Sequence, residues 1–213
     1  MADAALGGPA TGAFELVCAA EVERRGLEDL EVTVLGVGKA AAALGLALAM
    51  QARAVRPAGI LLFGVAGAFR ASGLEPGALC VVGEDRFGDE GVATEDGFAD
   101  LAELGLGDVG PFVLPPALAA QAAQRLAVPV VSGVTVSTCS GSEGAAAAIA
   151  GRTAAAVETM EGAAVALACQ RLGLPLLHVR AISNWTGDRA RGGWDLPTAV
   201  ERVQAAVRAL HAR

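Results

Sequence analysis

Two carboxylates in the string VETMEGAA, Glu158 and Glu161, flank Met160 where an apolar strand is predicted to meet an apolar helix. The helix dipole favours acidic residues in the first turn, but that role needs only one of them. A carboxylate and a thioether at the mouth of an apolar pocket suit a sugar, because the thioether packs on the ring while the carboxylate accepts hydrogen bonds from vicinal hydroxyls. Helix capping and sugar binding both stay open as interpretations.

A second candidate group lies in the string VRAISN, which places Arg180, Ser183 and Asn184 at the end of another predicted buried strand. An arginine in such a strand is costly to bury unless its charge is paired. A glutamate from a neighbouring strand end is the natural partner. Such a pair would stabilise the structure, position a water molecule, or do both.

Two glycine-rich turns follow predicted strands, GVGKAAAA at 36–43 and FGVAGA at 63–68. The first resembles a phosphate-binding helix N-terminus, but it lacks the spacing of G-x-x-x-x-G-K-[ST] and the third glycine of the dinucleotide fingerprint. The second would let backbone N–H groups approach a planar ligand. Tight packing turns explain both strings equally well.

The remaining reactive residue types give weaker signals. The loop Trp185–Asp195 is either a lid or a connector. His178, in the middle of a strand, is typical of a satisfied core histidine, and His211 of a surface residue. The cysteines form no CxxC pair and are predicted to be buried reduced thiols; they are Cys18, Cys80, Cys139 and Cys169. Because no His/Cys/Asp cluster has ligand spacing, we expect no metal site and no cofactor.

The composition limits the class of protein. Of 213 residues 54% are hydrophobic and mean hydropathy is +0.50, but the longest uncharged apolar runs are roughly half of the 20 residues that a membrane-spanning helix needs. The formal net charge is −7 without any cluster of Lys or Arg, which argues against nucleic-acid and membrane-surface partners. With no secretory signal at the N-terminus, we expect a cytoplasmic protein.

Short apolar strands alternate with Ala-rich helices, which predicts a mostly parallel sheet covered by helices. The predicted strands are Phe14–Cys18, Glu31–Leu35, Gly59–Val65, Leu79–Val82, Val130–Thr138, Ala155–Glu158 and Leu176–Ile182. The predicted helices are Lys39–Ala52, Gly144–Ala150, Glu161–Leu172 and Pro197–Ala212. Ligands of such sheets bind at the carboxyl ends of the strands, where the candidate residues lie.

We expect a single domain over residues 1–213, with a flexible tail at 1–12. The polar segment Asp85–Gly110 is predicted to be an excursion from the sheet rather than a second domain. Much of the negative charge is assigned to this excursion and to the surface rather than to the site.

The strings GVGKAAAAL, FGVAGAF, VETMEGAA and VRAISN, in this order, resemble the purine nucleoside phosphorylase/nucleosidase superfamily. With AISNW and GGWDLP, the chain is similar to the futalosine hydrolase family within it. The resemblance implies a single-domain three-layer α/β fold with a mixed, partly barrel-like central sheet. It also implies a nucleosidase of menaquinone biosynthesis that hydrolyses the N-glycosidic bond of futalosine and releases hypoxanthine. A homo-oligomer is implied as well, with a dimer favoured.

The resemblance also implies roles for single residues. Glu161 matches the glutamate that binds the ribose 2′- and 3′-hydroxyls, and Met160 its neighbour against the sugar. Arg180 matches the arginine that helps to hold the nucleophilic water. Glu23 matches the general base for that water, with Glu21 left as an alternative.

The same resemblance places the purine. Val65, Ala66 and Gly67 fall in the loop under ribose and base, and Ser183 is a further binding residue. Thr138 and Cys139 end the strand that lines the base pocket.

Two departures from the related enzymes narrow the expected chemistry. Asn184 replaces the aspartate of adenosine-type nucleosidases, and an amide that donates to O6 or N7 favours a 6-oxopurine. Leu62 and Val65 stand where phosphorylases use an arginine and a serine for phosphate, so water is the predicted nucleophile.

Three alternatives stay open: a methylthioadenosine/S-adenosylhomocysteine or aminodeoxyfutalosine nucleosidase, a phosphorylase, and a non-catalytic module that binds purine nucleosides. Arg189 and Arg191 are candidates for the carboxylate at the non-purine end of the substrate.

Overall fold

The computed structural model describes residues 13–95, 97–187 and 194–211. The strands are β1 Phe14–Cys18, β2 Val32–Val34, β3 Gly59–Ala68, β4 Leu79–Phe87, β5 Gly91–Thr94, β6 Gly97–Asp100, β7 Phe112–Val113, β8 Val130–Thr135, β9 Val157–Thr159 and β10 Leu176–Trp185. The helices are α1 Glu21–Arg24, α2 Lys39–Ala52, α3 Pro116–Leu126, α4 Glu143–Thr153, α5 Gly162–Leu172 and α6 Leu196–His211, with a 3₁₀ turn at Arg70–Ser72.

Five strands close into a small barrel in the order β3, β10, β4, β8, β9 and back to β3. The pairs β3–β10, β4–β8 and β8–β9 are parallel, whereas β10–β4 and β9–β3 are antiparallel. β1 and β2 extend the sheet from β3 as parallel strands, β7 pairs with β4, and β5 and β6 form a separate hairpin. The predicted mixed, partly barrel-like sheet is confirmed.

Burial explains why β3 and β10 form the centre of the sheet. β10 is buried from Leu176 to Asn184, and β3 is buried at every position except the half-exposed Val65 and Gly67. Strands that are covered on both faces need continuous apolar runs, and both sequences supply them. The covering helix α5 presents Ala163 to Ala166 to the core. Small side chains there let the helix backbone lie close to the sheet.

The central strands run further than predicted, and one extension corrects the interpretation of the polar segment. β3 continues to Ala68, β10 to Trp185 and β4 to Phe87. The extension of β4 places Asp85 inside the sheet with no exposed surface. The prediction that the excursion begins at Asp85 was therefore wrong for this residue, although the β5–β6 hairpin does stand apart from the main sheet.

Three of the four cysteines are buried, as predicted. Burial raises the pKa of the thiols of Cys18, Cys80 and Cys169 to about 12. Cys139 is exposed, which corrects the prediction for this residue: β8 ends at Thr135, so Cys139 follows the strand in an irregular segment. In the described part of the chain, no helix is long and apolar enough to cross a membrane.

Candidate active site

A cavity of about 260 Å³ opens where β3, β10 and the β9–α5 turn meet the β1–α1 turn. Its walls are formed by Ala19, Ala20, Val22, Glu23, Val37, Val65, Ala66, Gly67, Cys139, Ser140, Glu158, Thr159, Met160, Glu161, Arg180, Ser183, Asn184, Trp194 and Leu196. A larger groove lies between β1, α3 and α6. We place the candidate site in the smaller cavity because the buried carboxylates and the buried arginine converge there.

Glu23 is buried in α1, and its carboxylate is held by backbone N–H groups. Oε2 accepts from the amides of Ala19 and Ala20, each at 3.0 Å, and Oε1 accepts from the amide of Val65 at 3.0 Å. Glu21 is exposed instead and pairs with Arg24 at 2.8 Å. Of the two predicted alternatives for the general base, Glu23 is therefore the one that lies at the cavity.

Glu161 occupies the N-cap position of α5, makes no side-chain hydrogen bond to that helix and joins three parts of the chain. Its Oε1 accepts from the amide of Gly38 at 3.0 Å, and its Oε2 lies 3.5 Å from Nη2 of Arg180. The first glycine-rich turn thus directs a backbone donor at a carboxylate. Lys39 of that turn pairs with Asp89 and Glu90. These contacts favour the packing interpretation of GVGKAAAA over phosphate binding.

Arg180 is 1% exposed, and two of its three guanidinium nitrogens donate hydrogen bonds to described residues, whereas Nη2 has only the ion pair with Glu161. Nε donates to Nε2 of His178 at 2.7 Å, and Nη1 donates to the carbonyl of Val65 at 3.0 Å. Gly64 makes the space for this arrangement, since a Cβ atom there would overlap Oε1 of Glu23 and lie 2.6 Å from Nη1 of Arg180. The arginine in the apolar strand is thus paired with a glutamate, as the sequence suggested.

Asn184 has a fixed amide orientation at the edge of the cavity. Its Nδ2 donates to the carbonyl of Trp185 at 2.8 Å, and its Oδ1 accepts from the hydroxyl of Ser183 at 2.7 Å. Because a carbonyl oxygen can only accept, the first contact decides which side of the amide is the donor. The second Nδ2 hydrogen has no acceptor among the described residues and is available to a ligand.

Glu158, the other carboxylate of VETMEGAA, lines the cavity and is held by Ser140. It is buried, and it accepts from the amide of Ser140 at 2.8 Å and from the Ser140 hydroxyl at 2.5 Å. Burial raises the pKa of the Glu158 carboxyl, and the hydrogen bonds from Ser140 oppose this effect. Glu158 therefore anchors the segment after β8 to the cavity wall. A serine shortly after a predicted strand was the only sequence signal for this contact.

The structure brings most of the predicted site residues to one cavity. Those that line it are Glu23, Val65, Ala66, Gly67, Cys139, Met160, Glu161, Arg180, Ser183 and Asn184. Thr138 does not line it and is exposed, because β8 ends at Thr135 instead of Thr138. The proposed carboxylate partners Arg189 and Arg191 and the tail 1–12 lie outside the described residues.

Sequence reasoning missed the apolar rim of the cavity. It is built from Val22, Val37, Trp194 and Leu196. Trp194, which belongs to the loop predicted as a lid or connector, is 46% exposed. Among the described residues, no group of three or more His, Cys, Asp or Glu side chains could hold a metal ion.

Comparison with known proteins gives consistent results. The family model of the phosphorylase superfamily matches residues 27–212. The chain is 36% identical over 193 residues to futalosine hydrolase of Thermus thermophilus, which covers 87% of this chain and 84% of that protein. It is 35% identical over 198 residues to futalosine hydrolase of Streptomyces coelicolor, with 88% and 83% covered.

Solved structures show the same fold at lower identity. Native futalosine hydrolase of Helicobacter pylori aligns with a TM-score of 0.80 at 18% identity, covering 93% of this chain and 97% of that chain. A 5′-methylthioadenosine/S-adenosylhomocysteine nucleosidase of Colwellia psychrerythraea in complex with adenine aligns with a TM-score of 0.79 at 23% identity, with 93% and 94% covered.

Proposed function

Because this chain belongs to the phosphorylase superfamily and, within it, to the futalosine hydrolase family, we propose that it hydrolyses the N-glycosidic bond of futalosine. The products are hypoxanthine and dehypoxanthine futalosine. The observation that carries the proposal is the convergence of two buried carboxylates, Glu23 and Glu161, with the buried Arg180 at one cavity.

Glu161 is suited to hold the sugar. Its carboxylate faces the cavity and can accept hydrogen bonds from the 2′- and 3′-hydroxyls of a ribose, while Met160 offers an apolar surface to the ring. The contact with Arg180 offsets the cost of burying this charge. In this role Glu161 fixes the anomeric carbon relative to Glu23.

Glu23 is suited to act as the general base. The three backbone N–H groups that hold its carboxylate fix its position before substrate binds. As the C–N bond breaks, its electron pair leaves with hypoxanthine. A water oxygen forms the new bond to the anomeric carbon, and the water gives its proton to Glu23. The departing purine takes up a proton from solvent and is stabilised by the remaining N–H of Asn184, and Glu23 returns its proton to solvent, so that the overall reaction consumes one water.

Water is favoured over phosphate by the groups along β3. Leu62 is fully buried and Val65 half-buried, and apolar side chains cannot compensate for desolvating a dianion. Arg180 already contacts His178, Val65 and Glu161. The guanidinium of Arg70 lies 4.7 Å from the ring centroid of Trp185. Because both arginines have other contacts, they are less available to a phosphate dianion, which supports a hydrolase.

One assay separates the candidate functions. The protein is incubated with futalosine, inosine or methylthioadenosine, with and without phosphate, and the free base and the sugar product are identified. We expect hypoxanthine from futalosine at a rate that does not depend on phosphate. A sugar phosphate would identify a phosphorylase, and faster release of adenine from methylthioadenosine would identify the alternative nucleosidase. Binding of a nucleoside without release of any base would identify a non-catalytic binding module.

Asn184→Asp is expected to change the choice of base. A carboxylate at this position would repel O6 of hypoxanthine and would accept from a 6-amino group. We expect the ratio of kcat/KM for futalosine to that for its 6-amino analogue to fall about 10- to 100-fold. Thr186→Val is the control, because it alters a buried hydroxyl two residues away that donates to the carbonyl of Ala68 and does not line the cavity, so the ratio should be unchanged. An unchanged ratio in Asn184→Asp would contradict the assignment of Asn184 to base selection.

We further propose a homo-oligomer, with a dimer favoured. Leu44 and Leu48 on α2 are 61% and 54% exposed, and burial of such side chains would stabilise an interface. A cytoplasmic location stays a prediction.

A further inference from the structure

A row of buried polar side chains leads from the cavity into the interior of the barrel. Nε of Arg180 donates to Nε2 of His178 at 2.7 Å, and Nδ1 of His178 lies 3.7 Å from Oδ2 of Asp85. Asp85 and His178 are completely buried. Neither Nδ1 of His178 nor Oδ2 of Asp85 has a hydrogen-bond partner among the described residues. These two groups therefore face each other across a gap slightly longer than a hydrogen bond.

Arg180 determines the tautomer of His178. A guanidinium N–H can only donate, so Nε2 of the imidazole must accept. The imidazole is neutral, because burial and the charge of Arg180 both lower the pKa of His178 well below its ordinary value. Its proton therefore lies on Nδ1 and is directed at Asp85. This corrects the interpretation of His178 as a satisfied core histidine, since its Nδ1 has no hydrogen-bond partner among the described residues and faces Oδ2 of Asp85 at 3.7 Å.

The other oxygen of Asp85 connects to the helix that follows Glu161. Oδ1 accepts from the hydroxyl of Thr135 at 3.0 Å, and the Thr135 oxygen accepts from the amide of Ala163 at 2.7 Å. Gly162 provides the space, because a Cβ atom there would overlap Oδ2 of Asp85 and lie 2.6 Å from Cε1 of His178. Asp85 thus links the N-terminus of α5 to the imidazole that holds Arg180.

Both oxygens of Asp85 face donors, an arrangement that fits an ionised carboxylate. Burial raises the pKa of Asp85 to about 7. The charge of Glu161 also raises this pKa, whereas the hydroxyl of Thr135 and the charge of Arg180 lower it. The polar and charged groups that face Asp85 are His178 and Arg180 from β10, Thr135 from β8 and Glu161 from the β9–α5 turn. The carboxylate is ionised above this pH and is neutral below it.

We propose that Asp85 and His178 are positioning residues for the hydrolysis: they hold the guanidinium of Arg180 in register with Glu161 and the attacking water. This inference rests on the proposed function, because the reaction that Asp85 and His178 support is the proposed hydrolysis. Neither residue lines the cavity, so they act through Arg180 and not on the substrate.

Two substitutions at position 178 separate positioning from packing. His178→Gln can place an amide oxygen near the position of Nε2 and keep an acceptor for Arg180, whereas His178→Asn reaches only the position of Nδ1. We expect His178→Asn to lower kcat about 10- to 100-fold, because small displacements of a catalytic group have effects of this size. KM should change little, and His178→Gln should recover most of the loss. Equal kcat values for both variants and the wild type would overturn the proposal.

The pH profile tests Asp85. In the wild type, kcat should fall as the pH falls through about 7, because protonation of Asp85 removes the negative charge that faces Nδ1–H of His178. Asp85→Asn should have a low kcat without this change near pH 7. Val82→Ala is the matched control: Val82 is buried opposite His178 in the β4–β10 pair. The Val82→Ala variant should have a lower midpoint of thermal unfolding than the wild type, with the same kcat and the same pH profile. A wild-type profile in Asp85→Asn would overturn the role of Asp85.

A measurement without substrate separates this inference from the proposed function. The chain has two histidines, so His211→Ala assigns their NMR signals. Long-range ¹⁵N–¹H correlations should show His178 neutral and protonated on Nδ1, and Asp85→Asn should shift the Nδ1 signal and keep the tautomer that Arg180 determines. Protonation on Nε2 in the wild type would overturn the inference even if futalosine is hydrolysed. The expected tautomer in a protein that releases no base would contradict the proposed function instead.

Discussion

Glu23→Gln is expected to lower kcat for futalosine hydrolysis by about 10²- to 10⁴-fold, the range that a positioned general base contributes. The amide of glutamine cannot take the proton from water, so the chemical step loses its acceptor. Substrate binding should be largely intact, because the proposed ribose contacts come from Glu161. Single-turnover kinetics gives the rate of the chemical step, and calorimetry with the variant gives the Kd for futalosine.

The control for this experiment is Glu21→Gln, which alters an exposed carboxylate two residues away. It should keep kcat within about twofold, since surface substitutions seldom affect buried groups. Glu23→Gln also replaces one acceptor of backbone N–H groups by a donor, so thermal unfolding is measured for both variants. A folded Glu23→Gln variant with near wild-type kcat would refute the assignment of Glu23 as the base.

Glu161→Gln should have the second large effect. Two hydrogen bonds from ribose hydroxyls to a carboxylate are worth about 1.5–3 kcal/mol each, so weakening both lowers kcat/KM by about 10²- to 10⁴-fold. The variant also leaves the buried charge of Arg180 without its partner, and loss of one member of a buried pair costs about 3–5 kcal/mol of stability. Activity is therefore compared at a temperature where thermal unfolding shows the variant to be folded.

A substrate change separates the two effects of Glu161→Gln. With 2′-deoxyfutalosine the wild type should lose part of its kcat/KM, and the variant should lose much less on the same change of substrate. Equal losses in the two proteins would show that Glu161 does not bind the 2′-hydroxyl. Glu158→Gln is the matched buried carboxylate, because its contacts go to Ser140; it should keep the full dependence on the 2′-hydroxyl.

Local patterns predicted several elements around the site, although α1, which carries Glu23, was not predicted. The apolar runs of β1 and β10 and the small-residue pattern of α2 are contained in short windows, and β1 and α2 have the predicted bounds. Arg180 was recognised because a charge inside an apolar run needs a partner. The sequence also placed Glu161 at a strand-to-helix junction, and it lies there at the N-cap position of α5, with its carboxylate held by Gly38 and Arg180.

Contacts between distant segments could not be predicted in the same way. Asp85 has the polar neighbours of a surface loop, yet the pairing of β4 with both β8 and β10 encloses it. Glu158 had no partner predicted from the sequence, and the pairing of β9 with β3 and β8 places it next to Ser140. α3 was missed although it begins with a proline, a common first residue of helices. In the first two cases barrel closure, and not the local sequence, decides which carboxylate faces which group.

The closure of the barrel has a consequence for how the protein acquires its activity. β10 is the last strand of the barrel in chain order, and it inserts between β3 and β4, which lie 89 or more residues earlier in the sequence. Such long-range pairings form slowly, because the intervening chain loses entropy before the contacts compensate. Until β10 inserts, the edges of β3 and β4 are open to other chains. Because Arg180, Ser183 and Asn184 arrive on this same strand, a partly folded chain that exposes those edges is also catalytically inactive.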